Sequence, residues 1–198
     1  MARIKKTDEE IRAEIIEAAN ALFIKYGYIK TTMEDIAAAV RKGKSTLYYY
    51  YKSKEDVFLD VISNIASSIL LLLHEKVNNL SSASERLMGY FEVLTNDIIK
   101  VTNLYRLILD ELKDNVFLNN QVNVLFFDKD VLFVESILKY GIERKEFQSI
   151  KMEDINQIAR LIILINRNLI FTYLIPNKLD EWMKSTKIMS NILLKGIR

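Results

Sequence analysis

Apolar side chains recur at three- and four-residue spacing along nearly the whole chain. Ile11, Ile15, Ala18, Ala19, Leu22, Phe23 and Tyr26 form the first such stripe, which is the period of an amphipathic helix. Thr7 with Glu10 supplies a capping box at its start, and Gly27 is placed as a left-handed stop. A second box, Thr31 with Glu34 or Thr32 with Asp35, opens a helix of barely two turns over 33 to about 40, with Ile36, Ala37 and Val40 inward. Residues 44–51 give another two-turn helix. Neither is stable alone in water, so each must lean on its neighbours. Ser53 with Asp56 caps a long helix over 54–77 that turns Val57, Phe58, Val61, Ile62, Ile65, Ile69, Leu72 and Leu73 inward. After the loop "NNLSSASE", helices are predicted at about 83–101, 103–113, 118–145, 153–175 and 179–196, with Pro176 and Asn177 breaking the chain before the last. No strand-like alternation of useful length and no internal repeat occurs. The pattern therefore predicts an all-α protein of about nine helices. A compact three-helix unit, residues 1–53, leads into a larger helical bundle, residues 54–198, and the fourth helix is shared between them.

Composition agrees with this and removes several function classes. Half of the 198 residues are hydrophobic, with one proline and five glycines. There is no cysteine, which excludes disulfides, thiolate zinc sites and cysteine nucleophiles. The single histidine, His74, argues against His-rich metal sites and Ser-His-Asp triads. Neither a metal nor a cofactor is expected, and no paired-carboxylate or phosphate-cradling glycine motif indicates an enzyme. The N-terminus turns acidic where a signal peptide would turn apolar. The apolar runs "SILLLLHEK" and "LIILINRNLIFTYLI" are respectively too short and interrupted by Asn-Arg-Asn. A cytoplasmic protein is expected.

Net charge is +2, but it is uneven. Residues 1–54 hold eleven Lys/Arg against seven Asp/Glu, and the remainder holds seventeen against nineteen. The segment 41–54 carries Arg41, Lys42, Lys44, Lys52 and Lys54 with no acid. A local basic patch on a near-neutral chain suits a polyanion, or it is a solvated charged loop.

Two short helices joined by a tight turn, the second one basic, make a helix-turn-helix, whose second helix lies in the major groove of DNA. Lys44, Ser45 and Thr46 then face base edges. The run Tyr48–Tyr51 is sorted by helical geometry. Tyr51 shares the buried face with Leu47, Tyr49 faces the groove as a base reader, and Tyr48 and Tyr50 reach phosphates. Ser53 and Lys54 open the next helix where a phosphate is also favoured. Thr31 and Thr32, at the start of the second helix, complete the expected phosphate contacts. A helical adaptor whose basic helix binds RNA, an acidic protein or a membrane surface is the alternative.

The stretch "TTMEDIAAAVRKGKSTLYYYYKSKEDVF" resembles the DNA-binding signature of the TetR/AcrR family of bacterial transcriptional regulators. Ile36, Ala37, Thr46, Leu47, Tyr48, Tyr50, Ser53, Lys54 and Glu55 match without a gap, and Tyr51 takes the usual phenylalanine position. Arg41 stands where the family's turn has glycine, Gly43 where it has serine, and Lys42 replaces an apolar residue. The resemblance implies a homodimeric regulator, most simply a repressor of a pseudo-palindromic operator, whose C-terminal helices bind a small-molecule effector. Phe91, Tyr105, Phe126, Arg167 and Phe171 are the candidate effector-pocket residues. Ile163, Ile170, Trp182, Met189 and Leu193 are the candidate dimer interface. Asn166, Arg167 and Asn168 interrupt an otherwise apolar helix, and a buried arginine requires an acidic partner or a ligand.

Overall fold

The computed structural model describes residues 6–96, 116–169, 172 and 178–198. Among these residues all regular structure is helical. The eight α-helices are α1 (Asp8–Tyr26), α2 (Met33–Ala39), α3 (Lys44–Tyr50), α4 (Lys54–Val77), α5 (Ala83–Asn96), α6 (Val116–Glu143), α7 (Ile155–Leu169) and α8 (Leu179–Ile197), with a 3-10 turn at Met152–Asp154. The helix expected at 103–113 lies outside the described residues. The capping boxes at Thr7/Glu10 and Thr32/Asp35 form in both directions. Of the two boxes proposed for α2, the one at Thr32 is therefore the cap.

The chain divides into two compact units. The first, described over 6–65 and 116–122, contains α1–α3 and the first half of α4. At seven residues each, α2 and α3 are below the length at which isolated helices persist. They are held by burying Met33, Ile36, Ala37 and Leu47 with Ile15, Ala19 and Phe23 of α1 and Val57, Phe58 and Ile62 of α4. Each of the larger side chains so buried is worth roughly 1.5–3 kcal/mol. Phe23, Tyr28 and Phe58 stack as a ring trio, with centroids 4.7–5.7 Å apart.

The second unit, described over 66–96, 123–169, 172 and 178–198, is a bundle whose core includes Leu73, Leu87, Tyr90, Phe91, Phe133, Val134, Leu138, Phe147, Ala159 and Ile163. Helix α8 packs against α5 and α7 and buries Trp182 completely. Among the described residues α4 is long and apolar enough to cross a membrane. Its apolar side chains instead enter the two cores: Val57, Phe58, Val61 and Ile62 in the first unit, Leu73 and Val77 in the second.

Candidate nucleic-acid interface

The interface is set by how α2 ends and α3 begins. Lys42 N–H donates to the Ala37 carbonyl at 2.9 Å and Arg41 N–H to the Ala38 carbonyl at 3.0 Å, the paired bonds of a Schellman helix stop. That stop needs a residue with positive φ, and Arg41 provides it at 54°. Gly43 is the N-cap of α3 with an ordinary extended backbone, φ −71°, and offers no side-chain cap. The displaced glycine therefore does not turn the chain here; the arginine does. Gly27, after α1, has the expected positive φ of 83°, but its ψ of 161° is extended rather than left-handed helical.

Along α3 the tyrosines divide by face. Leu47 and Tyr51 are buried, as their shared face required, while Tyr49 is 76% exposed and Tyr48 43%. Burial, and then donation to Asp60 Oδ2 at 2.9 Å, pushes the Tyr51 phenol up to about 12. Tyr49 packs edge-on against Tyr50 at 5.0 Å. Tyr50 donates to Asp8 Oδ1 at 2.8 Å, which raises its pKa. Its hydroxyl is thus held by α1 rather than presented freely. Lys44 forms an ion pair with Glu34 of α2 and lies 5.7 Å from the Tyr48 ring. Ser45 is exposed and Thr46 half-buried. Thr32 accepts from Asp35 N–H as the α2 cap, and Ser53 accepts from Asp56 N–H as the α4 cap.

Two expected phosphate contacts require correction. Thr31 is 2% exposed and donates to the Gly27 carbonyl at 2.7 Å, so its hydroxyl closes the α1–α2 loop. Lys54 donates to the carbonyls of Tyr28 (2.8 Å), Thr31 (2.9 Å) and Ile29 (3.4 Å), with its ammonium 4.3 Å from the Tyr28 ring. Next to it, Glu55 accepts from the Tyr28 hydroxyl at 3.0 Å; burial, and then this bond, raises the Tyr28 pKa. The Lys54-Glu55 pair is thus a clamp from the first turn of α4 onto the loop that positions α2. The free cations lie elsewhere. Arg41, Lys42 and Lys52 make no ion pair among the described residues, and the sequence signalled them only as members of a basic cluster.

In the second unit, Arg167 faces Asp130 at 3.9 Å and lies over the Phe127 ring at 5.1 Å. The interrupting arginine has found an acidic partner. Burial pushes the Asp130 carboxyl up to about 6, against the opposing pull of Arg167. Phe91 is a core residue at 2% exposure. Tyr105 and Phe171 lie outside the described residues, and the Phe126 side chain does too. The fully buried Tyr90 hydroxyl, Asn166 Oδ1, Trp182 Nε1 and Thr186 Oγ1 have no hydrogen-bond partner among the described residues. The dimer assignment also needs correcting. Ile163 (1%) and Trp182 (0%) are already inside the protomer and have no surface left to lose. Met189 and Leu193 instead edge an open apolar groove of about 410 Å³ shared with Ile162, Ile165, Leu169, Ser185, Ile188 and Ile192. Ile170 lies outside the described residues.

This arrangement of short helices, turn and clamp has a counterpart in known proteins, since residues 15–61 match the sequence model described as bacterial regulatory proteins, tetR family. Those residues carry a helix-turn-helix of the tetR type. The chain is a helix-turn-helix, DNA-binding transcriptional regulator. Beyond the TetR helix-turn-helix, it is 24% identical over 188 residues to an HTH-type transcriptional regulator of Mycobacterium bovis, covering 93% of this chain and 86% of that one. The fold is that of a TetR-family regulator from Syntrophomonas wolfei (TM-score 0.77, 21% identity, covering 97% of this chain and 98% of that one). It is also that of FadR from Thermus thermophilus, a TetR-family repressor solved in complex with lauroyl-CoA (TM-score 0.70, 21% identity, covering 94% and 95%).

Proposed function

We propose that this tetR-type regulator is an effector-responsive homodimeric repressor that places one α3 helix in each of two successive major grooves of a pseudo-palindromic operator. The observation that carries the reading is the outer face of α3. Exposed Ser45, Tyr48 and Tyr49 lie between the free cations Arg41 and Lys42 on one side and Lys52 on the other. Lys44, Ser45, Thr46 and Tyr49 read base edges, with Lys44 exchanging Glu34 for guanine acceptors on binding. Thr32, Tyr48, Tyr50 and Ser53 contact phosphates, Tyr50 after leaving Asp8. Thr31 and Lys54 serve by holding the α1–α2 loop. The cytoplasm, where bacterial DNA lies, is its location.

The apolar groove edged by Met189 and Leu193 is the dimer face on this reading. A partner's equivalent helices would cover Ile188 and Ile192, which are 51% and 67% exposed. Two-fold symmetry would then impose half-sites separated by one helical turn of DNA, about 34–36 Å. The effector enters the second unit, near the buried polar atoms of Tyr90, Asn166 and Thr186. It acts by binding one of two bundle states more tightly. Helix α4, whose residues belong to both units, carries the change to the reading heads. The lauroyl-CoA bound by the Thermus relative makes acyl thioesters the first compounds to screen.

Selection of bound sequences from random duplex DNA with the purified protein tests this. Recovery of an inverted repeat with half-sites about ten base pairs apart is expected, together with a steep loss of affinity with salt. Enrichment of no sequence, or of a single half-site, would overturn the operator reading.

A further inference from the structure

We infer that Arg41 is a DNA-backbone contact, and that the left-handed turn it occupies is kept in an unfavourable residue type because the turn must carry a free cation. The stop of α2 demands positive φ at position 41. Glycine adopts that conformation without steric penalty, whereas a side chain brings its Cβ against the backbone. A glycine is present two residues on, where nothing requires it. Gly43 has φ −71°, and a Cβ built there would meet only Ser45 Oγ at 3.8 Å. The chain therefore has an arginine where glycine fits better, and a glycine where almost any residue would serve. Backbone held in a sparsely populated region points to function when its side chain has a task.

The surroundings leave the Arg41 charge available. It lines a groove with Lys42, Val40 and Tyr50 opposite the α1 acids Asp8, Glu14 and Glu17. Asp8 already accepts from Tyr50, and Glu14 is ion-paired with Lys6. The Arg41 side chain makes no hydrogen bond or ion pair among the described residues. The two lysines of the same basic stretch that would be natural contacts are engaged, Lys44 with Glu34 and Lys54 with three carbonyls. Arg41 sits at the joint between the two helices of the reading unit, two residues before the N-cap of α3. From there a guanidinium can take a phosphate in two parallel hydrogen bonds and fix the angle at which α3 enters the groove.

A cation at a helix end also gains from the terminal carbonyls, and α6 offers the comparison. Lys145 sits at the equivalent stop of α6, where its N–H donates to the Ile142 carbonyl and the following Glu146 N–H to the Gly141 carbonyl, and it has a similar positive φ of 59°. It lies outside the helix-turn-helix. A role confined to the helix end would make the two positions behave alike.

The test uses the full-length protein on a random-sequence duplex, with affinity measured across a salt range, for Arg41→Gly, Arg41→Ala, Arg41→Lys and Lys145→Gly. Both Arg41→Gly and Arg41→Ala should lower the slope of log K against log salt by about 0.9 per protomer, the loss of one phosphate contact. Arg41→Lys should keep the parent slope. Arg41→Gly and Lys145→Gly should each raise Tm by roughly 2–4 °C through release of strain, and Lys145→Gly should leave the slope unchanged. A parent slope retained by Arg41→Gly overturns the proposal while leaving DNA binding intact. A slope lost equally in Arg41→Lys overturns it too, because turn geometry rather than charge would then be responsible. A parent protein with no salt-dependent DNA binding would overturn the regulator reading itself.

Discussion

At the residue scale, the run of four tyrosines shows what periodicity fixes and what it leaves open. Helical spacing put Leu47 and Tyr51 on one face, and both are buried. Spacing is a property of one helix, so it could not show which partners come from elsewhere. Asp8 lies 42 residues before Tyr50 and Asp60 nine after Tyr51; these are tertiary meetings with no local signature. The same limit explains Lys54. Its place in a basic run suggested phosphate, but the loop between α1 and α2 bends its carbonyls toward it. Lys54→Ala should therefore destabilise the first unit by about 1–3 kcal/mol, because the part-buried carbonyls of Tyr28 and Thr31 lose their donor. Urea unfolding measures this directly, and unchanged stability with weakened DNA binding would restore the phosphate role. Glu34→Gln works in the opposite direction. It releases Lys44, an exposed pair worth little to stability, so tighter DNA binding at unchanged Tm is expected. A gel-shift titration showing equal or weaker binding would contradict this.

At the element scale, helix starts were legible because their caps are local: Thr7, Thr32 and Ser53 each precede their helix and accept its early N–H groups. Helix ends were less so. Glycine is the usual stop, but α2 and α6 end on Arg41 and Lys145, and no local code marks a cation as left-handed. The cap of α5 shows a further limit, since Glu146 accepts from Ala83 N–H at 2.8 Å across 63 residues. The α6 stop is positioned by packing. A Cβ on Gly141 would come within 2.2–2.8 Å of the Phe147 ring, which is itself 1% exposed. At that distance the buried ring must shift to admit a methyl group. Gly141→Ala should cost about 1–3 kcal/mol through overpacking. Thermal unfolding should show it as a lowered Tm, whereas a neutral or stabilising outcome would mean that Phe147 can swing away.

At the scale of the whole molecule, the all-α class and the order of helices followed from the 3.6-residue period, which is written along the chain. The faces that meet other faces did not follow, because a stripe of apolar residues looks the same whether it enters its own core or a partner's. Trp182 and Ile192 lie on the same helix, yet one is fully buried and the other 67% exposed. Buried titration adds a second molecular property. Asp130 has its carboxyl raised to about 6 in the folded state from an ordinary value near 3.8, so folding favours its protonated form. The contribution of this group is fully present below about pH 4 and is lost as pH rises through about 6. The difference in unfolding free energy between the parent and Asp130→Asn, followed by urea titration from pH 4 to 7, should change across that window and be flat outside it. A constant difference would place Asp130 in an ordinary solvated setting. The dimer face gives the last test. Ile188→Glu with Ile192→Glu changes two side chains exposed in the protomer, so the fold should keep its Tm where that transition reflects the protomer alone. Two charges brought to a desolvated two-fold interface have no partners and must repel their symmetry mates. Sedimentation should then show a monomer. Because two linked reading heads bind more tightly than one by about 10²–10⁴, operator affinity should fall by that order while affinity for a single half-site stays the same. A variant that remains dimeric would move the interface off this groove, and one that is monomeric but still binds the full operator like the parent would show that a single α3 does the reading.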